Sequence, residues 1–402
     1  MTDKSKTILD LGNIPLVNNL CDTKEESLNC KRYPLVIEQH DDLLMKLSYE
    51  VDSDEVFSKY LFKSSVNKPY IQHCKRMWYH IKHMLYGTHS DCCSEYKPMK
   101  RIVDIGGNDG TLLKSFKSQS TGPLELINVD ASSSFRKENE DAGIEYIQSY
   151  WGDIKLDKKA DLIVSTNVFQ HTPDYRKFLQ GIVDNLHGVW VLEFPYFMDT
   201  VKGDQFDQTY HEHVYYWLLT PLLKLFKEYG LNVLSIKKVD GQGGSLRIIT
   251  SNISSSGDPL DSPKSINSKL VKLEQDFDFT EWNQKITMKR FHDAIFLNKL
   301  CGRIACFGAA AKGCVYLNSL YDANYEKMPV SYVVDDTPEK LGKYIPGTGL
   351  KVMSREYLYE DQPDYLIILA HNFKDYIIDS LRPHYKGHII TMLPEIEIDD
   401  MS

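Results

Sequence analysis

Positive charge is in short supply. The 402 residues hold 47 Lys and Arg against 56 Asp and Glu, a formal net charge of -9. That balance argues against a nucleic-acid scaffold, which needs a basic surface to meet phosphates. A local basic pocket for a small phosphorylated ligand remains compatible with it. Long apolar runs are also missing: the longest, such as YLIILA at 365–370, have strand length and fall short of the roughly 20 residues that span a bilayer. The opening MTDKSKTILDLG has none of the apolar core of a signal peptide. Eight irregularly placed cysteines, two of them adjacent at Cys92 and Cys93, do not form a disulfide scaffold. These absences lead us to expect a cytoplasmic-type, reducing compartment, with no membrane and no nucleic acid as partner.

What is present is a globular composition, 42% hydrophobic and 26% charged, in a chain long enough for two or three domains. A mixed opening segment carries the strand-like YPLVIEQ and the helical pattern YIQHCKRMWYHIKHML. From Lys100 apolar strands (RIVDIG, LELINVD, ADLIVSTNVF, GVWVLEFPYF) alternate with helical periods, the pattern of a parallel, doubly wound sheet. The Ser-, Pro- and Gly-rich 251–265 marks a boundary, followed by one long helical stretch and a second α/β alternation from RIACFGAAAKG onward. The expected domains are an N-terminal lobe at 1–87, a cofactor domain at 88–252, a helical linker at 253–298 and a C-terminal domain at 299–402.

The turn VDIGGNDGTLL places glycines between a strand and a helix, where backbone can approach a ligand and helix N–H groups are unpaired. It is not the G-x-G-x-x-G of a dinucleotide fold. It reads D-x-G-x-x-D-G over Asp104, Gly106, Gly107, Asn108, Asp109 and Gly110. Asp130 closes the next strand and Asn167 ends the one after, in STNV. An acid at Asp130 can accept both ribose hydroxyls and the turn can hold a charged amino-acid moiety, so S-adenosylmethionine is the expected cofactor.

Taken in order, DLGNIPLVNN, YLFKSS, DIGGNDGTLL, NVFQHTPD, VLEFPYF, FDQTYHEHVYY, GGSLR, FGAAAKG, VVDDTPEKLGKYIPGTGL and LAHNF resemble the sugar C-methyltransferases of deoxysugar biosynthesis over nearly the whole chain. The resemblance implies a class I methyltransferase Rossmann-like domain, a second C-terminal Rossmann-like domain for the nucleotide-sugar, and a small N-terminal lobe. It implies methyl transfer from S-adenosylmethionine to a carbon, most often carbon-3, of a nucleoside-diphosphate 4-keto-6-deoxysugar. The family's N-terminal zinc site is not matched, since Gln39 and Asp42 stand where cysteines belong and Cys21, Cys30 and His40 have no ligand spacing. No metal is expected, and some other packing must hold the lobe.

Within FDQTYHEHVYYW, read from the residues alone, His211 and His213 are an H-x-H metal pair, a general base with supporting groups, or a polar strand end. On a strand the two histidines share a face. A histidine base suits removal of a proton beside a carbonyl, because its reference pKa of about 6.5 is near working pH. The resemblance maps the base to His213, with Tyr210 and Glu212 supporting it and His211 structural. It adds Tyr60 near the sugar, with Phe62 where relatives carry a second tyrosine. It also places Lys312, Asp335, Lys340, Asn372 and the turn at 344–349 on the nucleotide-sugar. The rival readings are an O- or N-methyltransferase on a nucleotide sugar, and a non-catalytic nucleotide-sugar-binding relative. Oligomeric state is open, monomer or homo-oligomer.

Overall fold

A computed structural model describes residues 5–52, 55–56, 64–66, 68–86, 99–241, 243–253, 263–321 and 329–399. Its strands are β1 (Lys6–Pro15), β2 (Arg32–Gln39), β3 (Met45–Leu47), β4 (Arg101–Ile105), β5 (Glu125–Asp130), β6 (Glu145–Gln148), β7 (Ala160–Thr166), β8 (Leu186–Pro195), β9 (Tyr215–Tyr216), β10 (Asn232–Val239) and β11 (Ser245–Ser251). A second series follows: β12 (Ile304–Phe307), β13 (Val330–Val334), β14 (Val352–Met353), β15 (Tyr365–Ile368), β16 (His388–Thr391) and β17 (Glu397–Asp399). The chain divides into two compact units. One comprises Met1–Leu61, Phe197–Tyr216 and Phe277–Ser402; the other comprises Phe62–Tyr196 and Trp217–Asp276.

The second unit is built on a seven-stranded sheet in the order β10-β11-β8-β7-β4-β5-β6. β6, β5, β4, β7 and β8 run parallel, and β11 pairs antiparallel with both β8 and β10. The parallel strands read as unbroken apolar runs because both faces are covered: Ile102 and Val103, Leu162 to Val164 and Val189 to Leu192 are all buried. One cover is the helix Lys68–Tyr86, whose Cys74, Met77, Trp78, Ile81 and Leu85 recur at helical spacing and pack on Leu112, Leu113 and Phe116. Strand order reverses at β4, and in such sheets ligands bind beyond the carboxyl ends of the strands at that point. This is a Rossmann-like, doubly wound sheet.

Two sheets make up the first unit. The N-terminal one is antiparallel, β1-β2-β3-β9, and its inner face is Ile8, Leu11, Ile14, Leu35, Ile37, Met45 and Leu47, all buried. Apolar packing of these strands fills the lobe. The other sheet, β14-β13-β12-β15-β16-β17, is parallel except for β17. After β12 the chain turns at Gly308 (φ +113°) into the helix Ala311–Tyr321, repeating the strand–glycine–helix device. The turn at 344–349 is bonded to the N-terminal lobe: Tyr344 and Cys21 exchange backbone hydrogen bonds of 2.8 and 3.0 Å, and Arg32 donates to the Gly347 carbonyl at 2.9 Å. The Tyr344 and Gly347 carbonyls thus find donors in the lobe.

The long helical stretch is two helices, Pro263–Gln275 and Thr280–Lys299. Between them Asp278 accepts hydrogen bonds from the Thr280 N–H (2.9 Å) and hydroxyl (2.6 Å), a local side-chain turn just ahead of the second helix. No described helix is long and apolar enough to cross a membrane.

The first of these helices is anchored in the second unit by one buried carboxylate. Glu274 accepts from the Tyr196 hydroxyl (2.6 Å), the backbone N–H groups of Leu219 and Thr220 (both 2.8 Å) and the Thr220 hydroxyl (2.5 Å). E274A leaves four buried donors unmet, and is expected to lower stability by on the order of 3 kcal/mol, read as a fall in the urea unfolding midpoint.

Candidate active site

Three strand ends of the second unit bring the expected cofactor residues together. β4 delivers Asp104 and the turn at 106–110, β5 delivers Asp130 and β7 leads to Asn167. Gly106, Asn108, Gly110 and Asn167 all have positive φ (64°, 51°, 75° and 55°), so the turn is tightly coiled on itself. Gly107 is fixed by space: a Cβ there would lie 2.6 Å from Asn128 Oδ1 and 2.7 Å from Asp104 Oδ2.

The turn's N–H groups are not left for a ligand, contrary to the reading of its sequence. The Gly107 N–H donates to Asn128 Oδ1 (3.1 Å), Asn108 to Asp130 Oδ2 (3.0 Å), Asp109 to Asn108 Oδ1 (2.9 Å) and Thr111 to Asp109 Oδ1 (3.2 Å). Gly106 and Gly110 donate to backbone carbonyls. Side chains of this Asn- and Asp-rich turn have taken the role an anion would play. What is left over is acceptors: Asp104 Oδ1 and Asn167 Oδ1 are buried without a hydrogen-bond partner among the described residues. Burial, then the facing Asp130, pushes the Asp104 carboxyl well above its usual range; burial also raises Asp130. Such a site suits a ligand bearing cationic and hydroxyl donors, as S-adenosylmethionine does, and is poorly suited to a pyrophosphate.

The tyrosine–histidine motif lies in the first unit, between the short turn Phe206–Gln208 and β9. His211 and His213 do not share a strand face, because residues 211–213 form a turn. His211 is buried edge-on against Tyr33, with ring centroids 5.8 Å apart. Burial pulls its pKa down to about 4, against the opposing pull of the Tyr33 and Pro34 backbone. His213 meets the Gln208 carbonyl through Nδ1 at 3.0 Å, and its ring lies over Tyr210 at 3.9 Å. A carbonyl only accepts, so Nδ1 carries the proton and Nε2 the lone pair. Glu212 accepts from Asn18 Nδ2 at 2.7 Å, and burial raises its carboxyl to about 6.

In the C-terminal sheet Asp335 accepts from the Ala309 N–H (2.8 Å), the Thr337 N–H (2.9 Å) and Lys340 Nζ (3.2 Å), while Lys340 also donates to the Ala309 carbonyl (2.9 Å). Lys312 is half-buried; burial lowers its ammonium to about 8, against the attraction of Asp207. Asn372 is exposed in the short turn His371–Phe373. Tyr60 and Phe62 lie outside the described residues. Among the described residues, no group of three or more His, Cys, Asp or Glu is placed to hold a metal ion.

Some functional-looking residues escaped the sequence reading. Glu193, at the end of β8, meets His73 Nε2 at 2.5 Å and accepts from Arg247 Nε at 2.7 Å, all three buried. Burial would raise the Glu193 carboxyl, yet these two partners hold it below the usual range. This explains VLEFPYF and GGSLR as one buried ion cluster, joined by the register Arg247↔Glu193. Asp207 and His371 are the other pair, and only the fold brings them near each other.

A family model described as a methyltransferase domain matches residues 77–236, and one described as a C-methyltransferase C-terminal domain matches 240–394. The chain is an S-adenosylmethionine-dependent methyltransferase. It is 24% identical to the C-methyltransferase NovU of Streptomyces niveus, over 96% of this chain and 93% of that protein. Among solved structures, this methyltransferase is similar to the N-methyltransferase NodS of Bradyrhizobium japonicum with bound S-adenosylhomocysteine, at 13% identity and a TM-score of 0.35, over 45% of this chain and 87% of NodS.

Two outcomes are expected. Alanine at 107 overpacks the turn, at roughly 1–3 kcal/mol, so calorimetry of G107A should show S-adenosylmethionine binding weakened by about tenfold. For His211 the folded value of about 4 lies below the ordinary 6.5, so the unfolded chain takes up the extra proton between them. Its contribution is complete above pH 6.5 and drains away as pH falls towards 4, by up to about 3 kcal/mol. H211F should flatten the fall in the urea midpoint between pH 7 and pH 4.5.

Proposed function

We propose that this methyltransferase acts on carbon, methylating a nucleoside-diphosphate 4-keto-6-deoxysugar at carbon-3, with His213 as the base, in the deoxysugar biosynthesis of a cytoplasmic compartment. The observation that carries the reading is the bond from His213 Nδ1 to the Gln208 carbonyl. It holds the neutral ring in the tautomer whose Nε2 accepts a proton, as removal of a proton from the carbon beside a ketone requires. The match to C-methyltransferase NovU supports the same class of acceptor.

In this reading Nε2 of His213 takes the proton from the carbon beside the sugar's ketone. The electron pair moves into the enolate, whose oxygen is met by Tyr210 and by the Glu212 carboxyl, partly protonated near neutrality because burial raises it to about 6. Tyr60 is assigned to the sugar as well. When bound, S-adenosylmethionine supplies an electrophilic methyl group, and the second unit's Asp104, Gly106, Gly107, Asn108, Asp109, Gly110, Asp130 and Asn167 are assigned to hold it. Lys312, Asp335, Lys340 and Asn372 are assigned to the nucleotide-sugar. Positioning and proton removal account for the rate.

The test is mass spectrometry of a panel of nucleotide-linked 4-keto-6-deoxysugars incubated in heavy water, with and without S-adenosylmethionine. Deuterium uptake without donor and one methyl gained with it are expected, and H213N should lower both by about 10²–10⁴-fold. Methyl gain that survives in H213N would transfer the reading to an oxygen or nitrogen acceptor.

A further inference from the structure

The first unit holds a second buried imidazole–carboxylate pair that the mechanism above does not use. His371, in the turn after β15, places Nδ1 3.3 Å from Asp207 Oδ2, with 9% of the imidazole and 1% of the carboxylate side chain exposed. The approach is that of an ion pair and not a hydrogen bond, since both Asp207 carboxylate oxygens are buried without a hydrogen-bond partner among the described residues. The other ring nitrogen, Nε2, is buried and has no hydrogen-bond partner among the described residues. A buried ring nitrogen left unmet costs free energy unless something arrives to meet it.

The charges facing the ring say what that is. They are Asp207 from the Phe206–Gln208 turn, Lys312 from the helix Ala311–Tyr321 and Lys374 from the next helix, together with the Leu369 backbone. Lys374 is already paired with Glu397 at 2.5 Å. Lys312 and Asp207 attract and offset one another. A proton on His371 is thus the charge left over, and an anion balances it where a neutral hydroxyl does not.

We infer that His371, beside Asp207, is a phosphate-binding residue that works with Lys312 and is protonated as the ligand binds. The inference rests on the reading of the substrate as a nucleotide-sugar and adds to it a pH-dependent grip on the diphosphate. Without ligand, burial keeps the ring neutral by lowering its pKa below 6.5. An anion at Nε2 raises it, so binding takes up a proton. At pH 6.5 Lys312, with its value of about 8, is already charged, while Glu212 at about 6 also titrates, so the part of the uptake that H371Q removes reports on His371.

The experiment is calorimetry of the full chain with dTDP-glucose, UDP-glucose and GDP-mannose at pH 6.5, in buffers of small and large ionisation heat. These diphosphate diesters do not titrate there and lack the ketone. Proton uptake is expected with the nucleotide-sugar that binds; H371Q should bind about tenfold more weakly, having lost a charge-assisted hydrogen bond, and take up measurably less proton than the unaltered chain. D207N, which keeps the shape of the carboxylate, should reduce the uptake. Uptake undiminished in H371Q, an unchanged affinity, or no binding of any of the three would overturn the inference. Methylation of a keto-sugar together with unaltered H371Q binding would remove this inference and leave the proposed reaction standing. Proton uptake reduced in H371Q without methyl gain on any keto-sugar would do the reverse.

Discussion

One hydrogen bond, from the ring of His213 to the carbonyl of Gln208, decides what the tyrosine–histidine segment is able to do. The short turn Phe206–Gln208 presents that carbonyl, and β9 fixes the chain immediately beyond the histidine by pairing with β3. With both ends tied, the ring has one orientation and one tautomer. Its neighbour two positions earlier has the same chemistry and a different fate, because burial against Tyr33 keeps His211 neutral and inert. Two histidines in one motif are separated by environment alone.

The cofactor turn is governed by an equivalent rule of supply. A chain has a fixed number of N–H groups at a strand–helix junction, and here Asn108, Asp109, Asn128 and Asp130 consume them. What remains over at the junction is acceptors, Asp104 Oδ1 and Asn167 Oδ1. Asn139 reinforces the arrangement by donating to the Asn108 carbonyl at 2.9 Å, next to Asn128 donating to the same oxygen at 2.9 Å.

The sheets were legible in the sequence because their strands are buried on both faces: RIVDI and ADLIVST announce themselves as apolar runs whatever surrounds them. The glycine turn was legible for the same local reason, since Gly107 has no room for a side chain. The occupancy of the turn's N–H groups was not, because it depends on Asn128 and Asp130 arriving from the next strand. β9 was missed because two tyrosines carry no periodicity. Asp278 was read as one more helical residue, since an acid that turns the chain and a helix-surface acid look alike until the hydroxyl of Thr280 turns towards it. Pairs such as Arg247 with Glu193 and His371 with Asp207 come from far-apart stretches, so no spacing rule could have found them.

The path of the chain through β9 has a consequence for how the protein is made. The N-terminal sheet needs a strand from Phe197–Tyr216, and its unit is completed only by Phe277–Ser402. During synthesis β1, β2 and β3 leave the ribosome first, yet their sheet stays one strand short until the sheet of the other unit has largely emerged. A segment translated before the other unit therefore belongs to the unit that is finished after it, and no single contiguous fragment of the gene encodes that unit by itself.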